Sequence, residues 1–177
     1  MKIIAFAASS SSQSINNKLV QYATSLISNA QVEVLDINDY EMPLFSEDRE
    51  KELGHPQAAQ SFFEKLTQAD AILISFAEHN GSYTAAFKNL FDWVSRIDMK
   101  VYQGKPVVML ATSPGPGGAA NVLAAAVNSA PYFGGEVVGQ ASVSRFYDHF
   151  DAESMQIRSE TVKALVLEAL SGLEQYR

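Results

Sequence analysis

The sequence has 177 residues, of which 47% are apolar and 19% charged, and its formal net charge is −7. This length suits one hydrophobic core, so we expect residues 1–177 to form a single domain. The absence of cysteine excludes disulfides, thiolate nucleophiles and cysteine-ligated metal centres, and it fits a reducing, cytoplasmic compartment. Because Lys and Arg are not clustered, neither nucleic acid nor an anionic membrane is an expected partner.

The chain opens with a strand, a serine-rich loop and a helix. Residues 2–8, KIIAFAA, form a continuous apolar run, which is typical of a strand buried on both faces of a parallel sheet. The run carries one lysine and leads directly into a loop, so we interpret it as part of the fold and not as a signal peptide. Apolar residues then recur at helical spacing from Ile15 to about Ser28. No apolar run approaches the roughly 20 residues that a membrane span needs.

The same alternation of strand and helix continues along the chain. The patterns predict a strand at 32–37, a polar connection at 38–54, the end of a helix at 60–70, a strand at 71–77, a helix at about 83–96, a strand at 105–112, an alanine-rich helix to about Pro131, a strand near 135–145 and a helix at roughly 154–173. Strict alternation with apolar strands predicts a doubly wound α/β fold with helices on both faces of a parallel sheet. Five strands favour the flavodoxin-like order 2-1-3-4-5.

In such a sheet, ligands bind at the carboxyl ends of the strands, where the strand order reverses. The first loop at this edge, residues 9–16 (SSSSQSIN), offers hydroxyls and backbone N–H groups at a helix start, where the helix dipole favours a phosphate. The loop matches neither the Walker A nor the G-x-G-x-x-G pattern, which disfavours nucleoside triphosphate and Rossmann dinucleotide sites. A helix cap in a solvated turn is the competing interpretation of these serines.

Two further loops at this edge are suited to a flat ring. In residues 77–83 (AEHNGSY), Gly81 can adopt a positive φ and Ser82 can serve as a helix N-cap. Residues 112–118 (TSPGPGG) expose peptide groups without bulky side chains. Together the three loops predict a site for a heterocycle with a monophosphate end.

Several motifs carry a family resemblance that spans nearly the whole chain. Residues 9–16 are similar to a phosphate loop, G-S-x-R-x-x-S-x-N, and residues 78–93 to P-E-Y-N-G-S…L-K-N-x-x-D-W. Residues 36–45, 105–107 and 113–118 add an acidic, proline-containing segment, a Lys-Pro-Val strand start and a glycine-rich loop. In these features the chain resembles the NADPH-dependent FMN reductases, flavodoxin-like proteins that include quinone, azo-dye and chromate reductases. It departs from their pattern at four positions: Ala8, Ser11, Ala77 and His79 replace Gly, Arg, Pro and Tyr.

The resemblance implies FMN as cofactor and NADPH or NADH as hydride donor. It implies a small-molecule electron acceptor, such as free flavin, a quinone, an azo compound or a metal oxyanion, used in alternation with the nicotinamide at one site. It also implies a homodimer or homotetramer and no metal. The cofactor-binding residues that it implies are Ser9, Ser11, Ser14, Ile15, Asn16, Glu78, His79, Asn80, Gly81, Ser82, Ser113, Pro114, Gly115, Gly117 and Gly118. The resemblance implies no catalytic side chain, because the flavin performs the hydride chemistry. His79 is the one candidate for such a role, because imidazole titrates near neutral pH.

Two alternatives to this enzyme remain open. A non-enzymatic FMN electron carrier of the flavodoxin type would hold the flavin without oxidising nicotinamide. A degenerate member would bind flavin weakly, because Ser11 supplies no charge where the family has Arg. We interpret Glu78 as structural and not as a general acid, and Trp93 as a packing residue in the core or a subunit interface. Lys88, Asp92 and Arg96 lie at four-residue spacing and are interpreted as an ion-pair ladder.

Overall fold

The computed structural model describes residues 1–176, and its centre is a five-stranded parallel sheet. The strands of the described chain are β1 (Lys2–Ala8), β2 (Gln31–Leu35), β3 (Ala71–Phe76), β4 (Glu78–His79), β5 (Ser82–Tyr83), β6 (Pro106–Thr112), β7 (Glu136–Val143), β8 (Phe150–Asp151) and β9 (Gln156–Ile157). The central sheet has the order β2-β1-β3-β6-β7, while β4–β5 and β8–β9 are short hairpins. Counting the central strands alone, this is the order 2-1-3-4-5, so the predicted flavodoxin-like fold is confirmed.

Helices cover both faces of this sheet. They are α1 (Ile15–Ser25), α2 (Glu47–Leu53), α3 (Gln57–Thr67), α4 (Ala85–Ser95), α5 (Ala120–Ser129), α6 (Phe146–His149) and α7 (Glu160–Ser171), with 3-10 turns at Ile37–Tyr40 and Glu174–Tyr176. One core cluster joins the sheet to α3, α4 and α5, and a second joins its other face to α1 and α7. In β1, Ile4 and Phe6 belong to the first cluster, and Ile3 and Ala5 to the second. Burial on both faces explains why the strand is a continuous apolar run.

The structure corrects the predicted polar connection at 38–54. This stretch contains part of a 3-10 turn and the helix α2, whose start is capped by Ser46 Oγ accepting a hydrogen bond from Arg49 N. No residue of α2 is buried. The helix therefore has no apolar stripe, and hydrophobic periodicity could not reveal it.

Two helix starts were also predicted too early. The helix placed at 83–96 begins at Ala85, and its N-cap is Thr84, whereas Ser82, the predicted cap, lies in β5. The final helix, placed from about 154, begins at Glu160 after a hairpin. In both cases a short hairpin precedes the helix and supplies apolar residues that extend the apparent helical pattern.

Candidate functional site

A cavity of about 220 Å³ lies at the carboxyl edge of the sheet, beside the ends of β1, β3 and β6. All three predicted loops contribute to it, as the parallel topology requires. Its lining residues are Ser9, Ser11, Gln13, Ser14, Ile15, Asn16, Ala77, Glu78, His79, Thr112, Ser113, Pro114 and Tyr147. Nine of these lie among the residues that the family resemblance implies, and Tyr147 comes from a segment that the sequence motifs did not indicate.

The first loop ends at the N-terminus of α1. Ser14 is the N-cap, with Oγ accepting from Asn17 N at 3.2 Å, and Ser9 Oγ accepts from Ser11 N at 3.3 Å. Within residues 1–176 neither hydroxyl donates to the protein, and the backbone N–H groups of Ile15 and Asn16 have no acceptor. The first turn of α1 contains no acidic residue. The helix start therefore presents a set of donors and a positive dipole end, which together fit an anion.

Asn16 fixes this loop to the sheet. Its side chain is buried, with Oδ1 accepting from Ser75 Oγ at 2.8 Å and from Thr112 N at 3.1 Å. Its Nδ2 donates to the Thr112 carbonyl at 3.2 Å. The side-chain amide thus joins α1 to β3 and β6. Both its Oδ1 and its Nδ2 are bonded inside the protein, whereas the backbone N–H of Asn16 has no acceptor there.

The second loop is a tight β-hairpin. Glu78 pairs with Tyr83 and His79 with Ser82, while Asn80 and Gly81 form the turn with φ values of 53° and 78°. Both turn residues are left-handed, as a two-residue hairpin with an Asn-Gly turn requires. The Asn-Gly pair was therefore the sequence signal that could have revealed this hairpin. His79 is exposed at the cavity, whereas Asn80, Gly81 and Ser82 lie outside its lining.

Glu78 connects this hairpin to α5. The N-cap of α5, Ala119, has a φ of 59° and no capping side chain. In its place Glu78 Oε2 accepts from Val122 N at 2.9 Å, and Oε1 accepts from Asn121 Nδ2 at 3.4 Å. A carboxylate at a helix N-terminus satisfies a free N–H and stabilises the positive end of the dipole. This geometry supports the structural interpretation of Glu78.

The third loop is fixed to the end of β7. Ser113 O accepts from Phe146 N at 3.1 Å, and Gly115 O accepts from Arg145 N at 2.9 Å. Gly118 has a φ of 60°, and a Cβ there would lie 2.4 Å from Ser142 Oγ, so only glycine fits. Gly115, Gly117 and Gly118 do not line the cavity. They determine the path of the loop, and Ser113 and Pro114 form the cavity wall.

A larger cavity of about 480 Å³ lies on the other side of Ser10, between residues 37–44 and the start of α4. Tyr40 and Glu41 are in its wall, and burial raises the pKa of the Tyr40 phenol. Asn38 joins it to the first loop, because its Nδ2 donates to Ser10 O at 3.3 Å. The two cavities therefore share one loop of the candidate site.

Asn89 and Trp93 hold the wall of this larger cavity. Asn89 Oδ1 accepts from Phe45 N at 2.8 Å, and Trp93 Nε1 donates to Pro43 O at 2.7 Å. Trp93 is fully buried, which confirms that it is a packing residue. In the predicted ion-pair ladder, Lys88 does bind Asp92, at 2.7 Å, but Arg96 pairs with Glu50 of α2 instead. The second half of that ladder was wrong because α2 was not predicted.

A sequence profile described as NADPH-dependent FMN reductase matches residues 1–148. The chain belongs to the NADPH-dependent FMN reductase family. An NAD(P)H-dependent FMN reductase of Pseudomonas aeruginosa is 35% identical over 121 residues, which cover 68% of this chain and 64% of that protein. A 2-hydroxy-1,4-benzoquinone reductase of a Burkholderia species is 33% identical over 122 residues, with coverage of 68% and 64%. The alignments thus span less than two thirds of these relatives.

Solved structures support the fold of this family member. The flavoenzyme FerB of Paracoccus denitrificans, an NAD(P)H:(acceptor) oxidoreductase, superposes with a TM-score of 0.81 at 24% identity, covering 98% of this chain and 95% of FerB. The apo form of an NADH:FMN oxidoreductase, EMOB, superposes with a TM-score of 0.74 at 17% identity, covering 98% and 89%. Over residues 1–176, no helix is both long and apolar enough to cross a membrane, and no group of three or more His, Asp or Glu residues is arranged to hold a metal ion.

Proposed function

We propose that this family member is an NAD(P)H-dependent FMN oxidoreductase that passes hydride from NADPH or NADH, through FMN, to a small-molecule acceptor. The observation that carries the proposal is the meeting of three polar loops around one cavity at the carboxyl edge of the sheet. Bound FMN would supply the redox chemistry, which the protein's own side chains lack. The protein's part is to bind and orient the flavin and to leave one face open to donor and acceptor.

The phosphate end of FMN is assigned to the first loop. Ser9, Ser11 and Ser14 supply hydroxyls, and Ile15 and Asn16 supply backbone N–H groups at the start of α1. A hydrogen bond to a charged group contributes about 1.5–3 kcal/mol, so several such donors can replace the missing arginine at position 11. The first loop would bind the phosphate through neutral donors and the helix dipole. Such a site suits a monophosphate better than a more highly charged di- or triphosphate.

The ring end is assigned to the second and third loops. These loops line the cavity with Ala77, Glu78 and His79 and with Ser113 and Pro114, and Glu78 holds the two loops in a fixed relation through α5. His79, exposed at the cavity, is proposed to contact the flavin and to hold a proton near it. Quinones and free flavin are the acceptors we favour within the proposed class, since relatives named for each align with this chain.

A second copy of the chain is proposed to cover a groove between α4 and α5. The groove measures about 310 Å³ and is lined largely by aromatic rings, among them Tyr83, Phe91 and Phe133. The exposed side of α5 includes Ala124 and Ala125, and no residue of this helix is charged. An uncharged helix beside an apolar groove is suited to association, and we propose a homodimer or homotetramer in the cytoplasm. Light scattering on the purified protein tests the assembly.

Flavin titration tests the proposed activity. FMN is added to the purified protein while flavin fluorescence and the visible spectrum are recorded, and NADPH or NADH is then added without oxygen. Bound flavin that is rapidly bleached supports the oxidoreductase. Bound flavin that neither nucleotide reduces supports an electron carrier instead, and no binding at micromolar FMN contradicts the flavoprotein function.

A matched pair of variants tests the position of the phosphate. Ser11→Asp places a negative charge in the first loop, and Ser28→Asp adds the same charge at an exposed position after α1. We expect Ser11→Asp to weaken FMN binding by at least tenfold, because the carboxylate repels the phosphate. Ser28→Asp should bind FMN as the unchanged protein does, and equal effects of the two variants would contradict the assignment.

A further inference from the structure

Tyr147 lies at the rim of the cavity although no motif pointed to it. Tyr147 is 65% exposed, whereas Phe146, directly before it, and Phe150, three residues later, are 1% and 7% exposed. The two buried rings stack on each other with centroids 4.6 Å apart and belong to the core beneath α7. The short helix α6 therefore buries Phe146 against Phe150 of β8 and leaves Tyr147 beside the cavity.

The backbone directly before Tyr147 is held by two hydrogen bonds to the third loop. Phe146 N donates to Ser113 O at 3.1 Å, and Arg145 N donates to Gly115 O at 2.9 Å, so α6 is joined to the third loop of the site. Arg145 has a φ of 48°, a left-handed conformation that costs a residue with a Cβ roughly 1–2 kcal/mol. The hydrogen bond to Gly115 helps to hold that conformation. Tyr147 is thus an exposed ring on a fixed support.

An exposed aromatic ring on a fixed support gains contact area when a flat or apolar ligand fills the neighbouring cavity. The backbone that carries the ring is already held, so less conformational entropy is lost on contact than for a ring on a mobile loop. The remaining cavity wall consists mainly of small polar residues and backbone, among them Ser9, Ser14 and Ser113. These groups offer hydrogen bonds, while Ile15, Ala77 and Pro114 supply aliphatic surface. Among the described residues that line this cavity, Tyr147 is the one Phe, Tyr or Trp.

We propose that Tyr147 is a further cofactor-contacting residue, whose ring packs against FMN and covers it on the side of α6. The inference rests on the proposed function, because it requires FMN in this cavity. The contact with FMN is assigned to the ring of Tyr147 and not to its hydroxyl. It also explains how a site without the family's arginine gains additional contact with its ligand.

Three variants test this role. Tyr147→Ala removes the ring, and Tyr147→Phe removes only the hydroxyl. Tyr132→Ala is the matched control, because Tyr132 is 64% exposed and precedes β7 at the opposite edge of the sheet. We expect Tyr147→Ala to raise the Kd for FMN about tenfold, and Tyr147→Phe and Tyr132→Ala to change it by less than threefold. Urea unfolding of each apoprotein shows whether the variants fold normally.

Iodide quenching of the bound flavin supplies a readout that a purely structural role would not change. If the ring covers the flavin, Tyr147→Ala should increase the quenching constant at saturating FMN, while Tyr147→Phe should not. An unchanged Kd and quenching constant in Tyr147→Ala would overturn the inference, as would equal losses in the Ala and Phe variants. If the unchanged protein binds no FMN, the proposed function fails first and this inference fails with it.

Discussion

The Glu78 carboxylate accepts a hydrogen bond from the Val122 backbone N–H at 2.9 Å, across 44 residues of sequence. This contact joins the hairpin of the second loop to the start of α5, which directly follows the third loop. Both of these loops are assigned to the flavin ring. One side chain, which also accepts a hydrogen bond from Asn121 Nδ2, therefore fixes the distance between two parts of the candidate site.

Replacing Glu78 should destabilise the protein about as much as the loss of a helix N-cap does, because the Val122 N–H loses its acceptor. We expect Glu78→Ala to lower the free energy of unfolding by about 1–2 kcal/mol, and Glu78→Gln to lower it by less, since the amide oxygen can still accept from Val122 N. Urea unfolding of the apoprotein measures both. Glu52→Ala, at an exposed position in α2, is the control and should change stability by less than about 0.5 kcal/mol. Equal losses in Glu78→Ala and Glu52→Ala would show that the cap is unimportant.

The fold could be predicted from the sequence because its central strands are apolar on both faces and alternate with amphipathic helices. The three loops of the candidate site could also be predicted, since parallel topology brings them to one edge. The predictions failed where no apolar pattern existed, as in α2, which buries no residue. They also missed Tyr147, because its place at the cavity depends on two backbone hydrogen bonds to the third loop, and such contacts leave no periodic signal.

Lys105 should be important for the stability of α3. Its Nζ donates to the carbonyls of Leu66, of Thr67 at 2.7 Å and of Ala69 at 2.6 Å, at the C-terminal end of that helix. A cation there satisfies free carbonyls and stabilises the negative end of the dipole. We expect Lys105→Met to lower the free energy of unfolding by about 2–3 kcal/mol, because partly buried acceptors lose their donor.

Thermal and urea unfolding of Lys105→Met test this expectation against Lys51→Met. Lys51 is exposed in the last turn of α2, so its replacement removes the same charge from a helix end without removing several hydrogen bonds. The control should lose less than about 1 kcal/mol. Equal losses in unfolding free energy for the two variants would contradict this expectation. They would show that Lys105 stabilises the protein through its charge alone and not through its three hydrogen bonds to carbonyls.

The pH dependence of stability should include a contribution from Glu33. Hydrogen bonds from Lys65 at 2.5 Å and from Lys2, whose Nζ lies 3.2 Å from the carboxylate, lower the pKa of this carboxyl group below its ordinary value of 4.5. A group with a lowered pKa in the folded state stabilises the protein above its unfolded pKa and loses that contribution as the pH falls through the folded pKa. The contribution should therefore be complete well above pH 4.5, decrease as the pH falls below that value, and be lost once the pH is below the lowered folded pKa.

Urea unfolding between pH 3 and 7 tests this for the unchanged protein and for Glu33→Gln. The difference in unfolding free energy between the two should be constant above pH 6 and should shrink as the medium becomes more acidic. Glu52→Gln, which changes an exposed carboxylate, should follow the unchanged protein over the whole range. A difference for Glu33→Gln that stays constant down to pH 3 would contradict the assignment of the lowered pKa to this ion pair.

Asn16 should be the residue of the first loop whose replacement is most costly. Its buried amide makes three hydrogen bonds to Ser75 and Thr112, so Asn16→Ala leaves a hydroxyl, an N–H and a carbonyl without their partner. We expect a loss of about 3 kcal/mol in unfolding free energy, compared with less than about 1 kcal/mol for Asn17→Ala, whose side chain is only half-buried. A loss limited to the size of the Asn17→Ala effect would mean that water replaces the amide. Apolar packing alone would then hold α1 beside the cavity.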